Sequence, residues 1–131
     1  MTLASRDFAR PKIDLDLKVE ESTVKNGKWE VSKNGVSHFK NSAFPGGNGN
    51  IVIYGHNKKN ILGSLDFLQK GDEISLITEG DAEFKYKVRS IETVSPEKVE
   101  VINPTNFEIL TIYTCTGLFD SKRLVVKADP A

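Results

Sequence analysis

Apolar side chains in this chain recur at every second position, in short stretches broken by Gly, Asn and Pro. Pro11-Lys12-Ile13-Asp14-Leu15-Asp16-Leu17 alternates apolar with charged residues, and Phe84-Lys85-Tyr86-Lys87-Val88 does the same. A period of two puts alternate side chains on opposite faces of an extended strand, so one face is buried and the other wet. The punctuation agrees with strands. Asn26-Gly27 signals a turn between extended segments, Glu79-Gly80-Asp81 a hairpin turn ahead of Phe84, and Asn103-Pro104-Thr105-Asn106 a further turn cluster. Glu73–Thr78 and Ser90–Val94 read as extended, and Pro45 to Asn50 is a turn-rich approach to the apolar strand that starts at Ile51. Ser95-Pro96-Glu97 suits a turn or a single helical turn with Pro first. Helical spacing occurs at Ile61, Leu62, Leu65 and Leu68, which predicts a helix of about two to three turns with its apolar stripe in the core. Residues 1–10 show no periodicity and are expected to form a loose or docked arm ahead of a single domain over 11–131. Many short strands and little helix predict a mainly β fold, closed or nearly closed.

A length of 131 residues is enough for a real core without disulfide staples. Eighteen basic and eighteen acidic side chains cancel, so no nucleic-acid partner is expected. Apolar runs stop far short of the roughly 20 residues that span a bilayer, and no signal-peptide pattern is present. The single cysteine excludes an internal disulfide and, without clustered His, a structural zinc site. The acidic residues are too dispersed for a calcium site, so no metal and no cofactor are expected. The glycines at 46, 47 and 49 lead into a strand and lack the helix and Lys-Ser/Thr of a phosphate loop.

Cys115 lies in Glu108-Ile-Leu-Thr-Ile-Tyr-Thr-Cys-Thr-Gly-Leu-Phe-Asp-Ser-Lys-Arg-Leu-Val-Val-Lys127, which reads as two strands joined by a short loop. Alternation groups Leu110, Ile112 and Thr114 on one face and Ile109, Thr111, Tyr113 and Cys115 on the other. In the second strand Leu124, Val126 and Ala128 form the core set, with Arg123, Val125 and Lys127 opposite. Cys115 and Arg123 can therefore share a surface. A free cysteine is more often inert packing than a nucleophile, so a catalytic role needs a base or cation beside it. The chain offers Arg123 and two imidazoles, His38 and His56. His38, between Ser37 and Phe39, reads as a surface or capping histidine. His56 ends the apolar strand Asn50-Ile-Val-Ile-Tyr-Gly-His56.

Together, Asn50-Ile-Val-Ile-Tyr-Gly-His56, Leu65-Asp-Phe-Leu-Gln-Lys-Gly-Asp-Glu-Ile74, Leu110-Thr-Ile-Tyr-Thr-Cys115 and Arg123-Leu-Val-Val126 resemble the sortases, cysteine transpeptidases of bacterial surfaces. The resemblance runs from about Pro11 to Ala128, and the one departure is conservative, Ile112 where the family often has Leu in its Thr-Leu-x-Thr-Cys motif. The resemblance implies a closed eight-stranded barrel with one or two short helices and an active site in a groove on its wall. It implies Cys115 as nucleophile, His56 as acid and base, and Arg123 as stabiliser of the oxyanion or substrate carbonyl. Thr114 and the residues around Gly55 would line the groove, and the backbone N–H of Thr116 would be a second oxyanion donor. The acyl donor it implies is a surface protein with a Leu-Pro-x-Thr-Gly-like signal, cleaved after Thr. The acceptor is an amine of a cell-wall precursor or a pilin. It also implies an N-terminal membrane anchor, so that Met1 would begin a shortened domain from the extracellular face of the cell membrane. Two alternatives stand beside it: a cysteine hydrolase on the same scaffold, and a non-catalytic β-barrel binding module.

Overall fold

A computed structural model describes residues 1–6, 14–22, 24–25, 28–29, 36–56, 62, 65, 68–97, 99–116 and 121–131. Among the described residues, ten strands follow one another: β1 (Thr2–Arg6), β2 (Asp14–Ser22), β3 (Val24–Lys25), β4 (Lys28–Trp29), β5 (Val36–Phe39), β6 (Asn50–Gly55), β7 (Glu73–Ile77), β8 (Glu83–Val94), β9 (Ile109–Thr116) and β10 (Lys122–Pro130). Eight of them close a barrel in the order β1-β2-β5-β6-β9-β10-β8-β7, and β3 and β4 form a separate two-stranded ribbon. The mainly β, closed eight-stranded architecture expected from the sequence is the one observed. Closure leaves the sheet no free edge of the kind that invites aggregation.

The period-two pattern is realised strand by strand. Leu110 and Ile112 of β9 and Leu124, Val126 and Ala128 of β10 all enter the core, as their alternation predicts. Ile53, Ile112 and Val126 lie side by side across three strands, because β6 pairs in parallel with β9 and β9 antiparallel with β10. On β8 the alternation gives Tyr86 and Val88 to the core and leaves Lys85, Lys87 and Arg89 in solvent, where Lys85 faces Glu73 at 3.7 Å. The hairpin before it turns at Asp81, which adopts φ 61°, a left-handed angle that Asp tolerates better than most residues.

Several expectations are corrected. Where residues 1–10 read as a loose or docked arm, Thr2–Arg6 is a barrel strand between β2 and β7, with Leu3 fully buried. One well-buried leucine in a five-residue strand is too short a pattern to show periodicity. The helix expected over Ile61, Leu62, Leu65 and Leu68 is tighter than an α-helix where it is described. Leu65 N–H donates to Leu62 O at 3.0 Å and Leu68 N–H to Leu65 O at 3.1 Å, successive i to i+3 bonds. All three leucines reach the core; Ile61 lies outside the described residues. A second 3-10 turn spans Val99–Ile102.

His38 is the clearest reversal. It is fully buried rather than a surface side chain, with Nδ1 2.8 Å from Glu21 Oε2 and Nε2 2.8 Å from Ala43 O and 3.1 Å from Ser42 Oγ. Those contacts resemble a Ser-His-Glu relay, but hydrogen accounting excludes one. The Ala43 carbonyl can only accept, so Nε2 carries a proton and cannot draw one from Ser42. Ser42 donates instead to Phe39 O at 2.6 Å and accepts from Val52 N–H at 3.1 Å. The cluster ties the 42–49 loop to the base of the barrel.

The outer face of β6, β9 and β10 is also covered over much of its length. Val52, Ile109, Thr111 and Val125 are buried there, beneath the connection from β8 to β9. A polar network holds that connection down: Thr111 Oγ1 donates to Asn50 Oδ1 at 2.6 Å, Asn50 Nδ2 donates to the carbonyls of Val101 and Asn103, and Lys127 Nζ donates to Val101 O and Thr111 Oγ1. Burial, and then the charge of Arg89, holds the Lys127 ammonium below its usual range. Burial on both faces explains why Ile51-Val52-Ile53 is uniformly apolar rather than alternating.

Candidate active site

The site grows out of the ends of three adjacent strands. The parallel register between β6 and β9 pairs Tyr54 with Tyr113. That pair lies two residues before His56 and two before Cys115, and one residue before each the Thr114 hydroxyl meets the Gly55 carbonyl. On the other side of β9, Cys115 pairs directly with Arg123 of β10. Cys115 and Arg123 are thus direct cross-strand partners on β9 and β10, and His56 follows the end of β6 on the other side of β9, so the three positions belong to a row of neighbouring strand ends. Sequence spacing could not dictate this, because the row depends on a parallel β6–β9 pairing between segments 59 positions apart.

What fixes the row is the rung beneath it. Thr114 is fully buried, and its hydroxyl donates to the Gly55 carbonyl at 2.7 Å. This side-chain bond joins the residue before Cys115 to the residue before His56. Gly55 is required by space: a Cβ there would lie 2.8 Å from Val36 Cγ1 and 2.9 Å from Leu62 Cδ1. The expectation that Thr114 and Gly55 line the groove is therefore revised. Both are shut from solvent, and their contribution is to lock two strand ends in register. Thr116 is the last residue of β9 and pairs with Lys122.

His56 is half-buried just beyond β6, with its ring 6.5 Å from that of Tyr54 in an edge-on arrangement. Its carbonyl accepts a hydrogen bond from Leu62 N–H at 3.2 Å. Arg123 is half-buried, and its Nη1 donates to the Lys122 carbonyl at 3.0 Å. On its far side its backbone pairs with Val94, the last residue of β8, so the turn after β8 lies beside it. In that turn Glu97 carries a carboxyl held below its ordinary range, first by its own backbone N–H and the Ser95 hydroxyl, then by the charges of Lys122 and Arg123. Glu97 was not singled out from sequence, since an acidic residue in a Pro-containing turn carries no signal of its own.

A permanent guanidinium paired across the ladder with a thiol position, and an imidazole at the end of the neighbouring strand, are groups of the kind that can activate a thiol. The model of the sortase domain matches residues 10–131 of the chain. The chain belongs to the sortase family. It is 36% identical over 127 residues to sortase A of Bacillus anthracis, a match that takes in 91% of the chain and 56% of that protein. The solved structure of a Clostridium perfringens sortase D5 transpeptidase superposes with a TM-score of 0.78 at 29% identity, over 99% of the chain and 77% of the other. A lid mutant of sortase A from Corynebacterium diphtheriae superposes with a TM-score of 0.81 at 26% identity, over 99% of the chain and 68% of the other. The chain spans about half the length of the curated sortase A and sortase D relatives it matches. Among the described residues, no helix is long and apolar enough to cross a membrane.

Proposed function

We propose that this sortase-family chain is a cysteine transpeptidase acting through Cys115, His56 and Arg123. The observation that supports the reading is the pairing of Cys115 with Arg123 across β9 and β10, beside a parallel β6–β9 ladder that runs to within two residues of both His56 and Cys115. The Cys115 thiolate attacks the carbonyl carbon of the peptide bond that follows Thr in a Leu-Pro-x-Thr-Gly-like signal. Negative charge develops on the carbonyl oxygen, where Arg123 and the Thr116 backbone N–H are the donors. His56, as imidazolium, delivers its proton to the departing amine, and the peptide remains attached to Cys115 as a thioester. The now neutral His56 accepts a proton from the incoming amine as that amine attacks the thioester. A new peptide bond forms and the thiolate is released.

In this proposal the acyl donors are surface proteins carrying the signal. The acceptor is an amine of a cell-wall precursor or of a pilin, and the enzyme works at the extracellular face of the cell membrane. No step calls for a metal or cofactor. The test is incubation with a Leu-Pro-x-Thr-Gly peptide library and a glycine-based amine, read by mass spectrometry beside Cys115→Ala. Cleavage after Thr with amine-ligated product, absent from the variant, supports the transpeptidase. Hydrolysed peptide alone, with the amine in excess, refutes transpeptidation in favour of a hydrolase. No cleavage, together with a Cys115 that alkylates only after melting, refutes both in favour of a binding module.

A further inference from the structure

One rung below the level of Thr114 and Gly55, Tyr54 of β6 pairs directly with Tyr113 of β9. Their ring centroids are 4.6 Å apart and the planes are tilted by 55°, within the range of favourable aromatic pairs. The Tyr54 ring in turn meets the His56 ring edge-on, at 6.5 Å and 67°. All three side chains are half-buried, so the stack lies at the barrel surface. His56 follows the last residue of β6, where the ladder no longer constrains the chain. Side-chain contacts must set its ring there. Residues two apart on a strand stand on the same face, which lets Tyr54 reach His56 along β6 while Tyr113, two residues before Cys115, backs Tyr54 from the neighbouring strand.

We propose that Tyr54 and Tyr113 are positioning residues, an aromatic brace that sets the orientation of the His56 ring beside Cys115. The inference rests on His56 and Cys115 being the acid-base group and the nucleophile. The two contacts are ring to ring, so the brace lies in the rings. Phenylalanine at position 54 then preserves the brace. Leucine keeps an apolar side chain there but removes the flat edge against which the imidazole rests.

The chain has two histidines, so both imidazoles can be followed by NMR, and His56→Gln assigns the His56 ring signals. In Tyr54→Leu the His56 signals are expected to move as the ring current of Tyr54 is lost, whereas in Tyr54→Phe they stay near the wild-type position. In the same proteins, the rate constant for iodoacetamide alkylation of Cys115 is measured against pH on folded protein. Tyr54→Leu and Tyr113→Leu are each expected to lose about tenfold near neutral pH, as a misplaced catalytic group does, with profiles drawn toward that of His56→Gln. Tyr54→Phe restores the wild-type profile. A residue that merely supported the fold would lower the melting temperature and leave the folded protein's pH profile unchanged. His56 signals unmoved in Tyr54→Leu, or a wild-type profile in both leucine variants, overturn the brace; Tyr113→Leu decides the matter should Tyr54→Leu fail to fold. Identical profiles for wild type and His56→Gln would overturn the acid-base reading instead, and the ring shift would still settle whether the brace exists.

Discussion

Replacing Gly55 by alanine tests the packing beneath the strand ends that carry His56 and Cys115. The new methyl carbon would lie 2.8 Å from Val36 Cγ1, 2.9 Å from Leu62 Cδ1 and 3.1 Å from Leu62 Cγ, where relaxed carbon contacts lie at about 3.5–4.0 Å. Val36 and Leu62 are both fully buried, and Val36 is the direct partner of Gly55 on β5. Neither can retreat into solvent. Overpacking of this kind costs about 1–3 kcal/mol. At about 2.1 cal/mol/K per residue of unfolding entropy, a chain of 131 residues loses ~4 °C of melting temperature per kcal/mol. The expected fall is therefore ~4–11 °C. If β6 relieves the clash by moving away from β5, it carries His56 with it and strains the Thr114 bond to Gly55. Peptide cleavage at a temperature well below the melt should then drop by up to about a hundredfold. Thermal unfolding and initial rates on one preparation measure both effects. A Gly55→Ala protein that melts with the wild type and turns over at its rate would refute the close packing described for this strand end.

Thr114→Val keeps the shape of the side chain but leaves the buried Gly55 carbonyl without its hydroxyl donor, an expected loss of about 1–3 kcal/mol in denaturant unfolding; an unchanged midpoint would show that the bond contributes nothing. Tyr86 supplies the pH prediction. Burial first, and then its 2.6 Å hydrogen bond to Glu108 and the charge of that carboxylate, holds the phenol well above its ordinary value of 10.0. A raised pKa favours the folded state fully below the unfolded phenol's value, because only the unfolded chain ionises as pH climbs past it. Stability should therefore fall above about pH 10, with Tyr86 contributing ~1.4 kcal/mol per pH unit, and Tyr86→Phe should lack that share of the slope. Equal slopes in the two proteins would contradict it.

The barrel was legible in the sequence because alternation is a direct readout of one buried face, as at Phe84 to Val88 and Leu124 to Ala128. The same rule placed Arg123 and Cys115 on one side of a hairpin before any register was known, and the antiparallel pairing of the two residues bears that out. Three things were not legible. The first strand carries too few residues for a period to emerge. His38 gave no sign of burial, because its partners come from β2 and from the 42–43 turn, distant pieces that only the closed barrel brings together. The stitch from Thr114 to Gly55 and the stack of Tyr54 on Tyr113 arise from a parallel pairing, which leaves no turn signature between the partner strands. Thr114 and Gly55, which the family resemblance implies as groove lining, are both buried and bonded to each other.

The measurement that bears most directly on the central claim is the intact mass of the protein after brief exposure to a Leu-Pro-x-Thr-Gly peptide without acceptor amine. An acyl adduct on Cys115 with the mass of the peptide up to its Thr is expected, released by hydroxylamine and absent from Cys115→Ala, with much slower formation in His56→Gln. An adduct that persists in Cys115→Ala, or one that forms at the wild-type rate in His56→Gln, would contradict the roles assigned to the row.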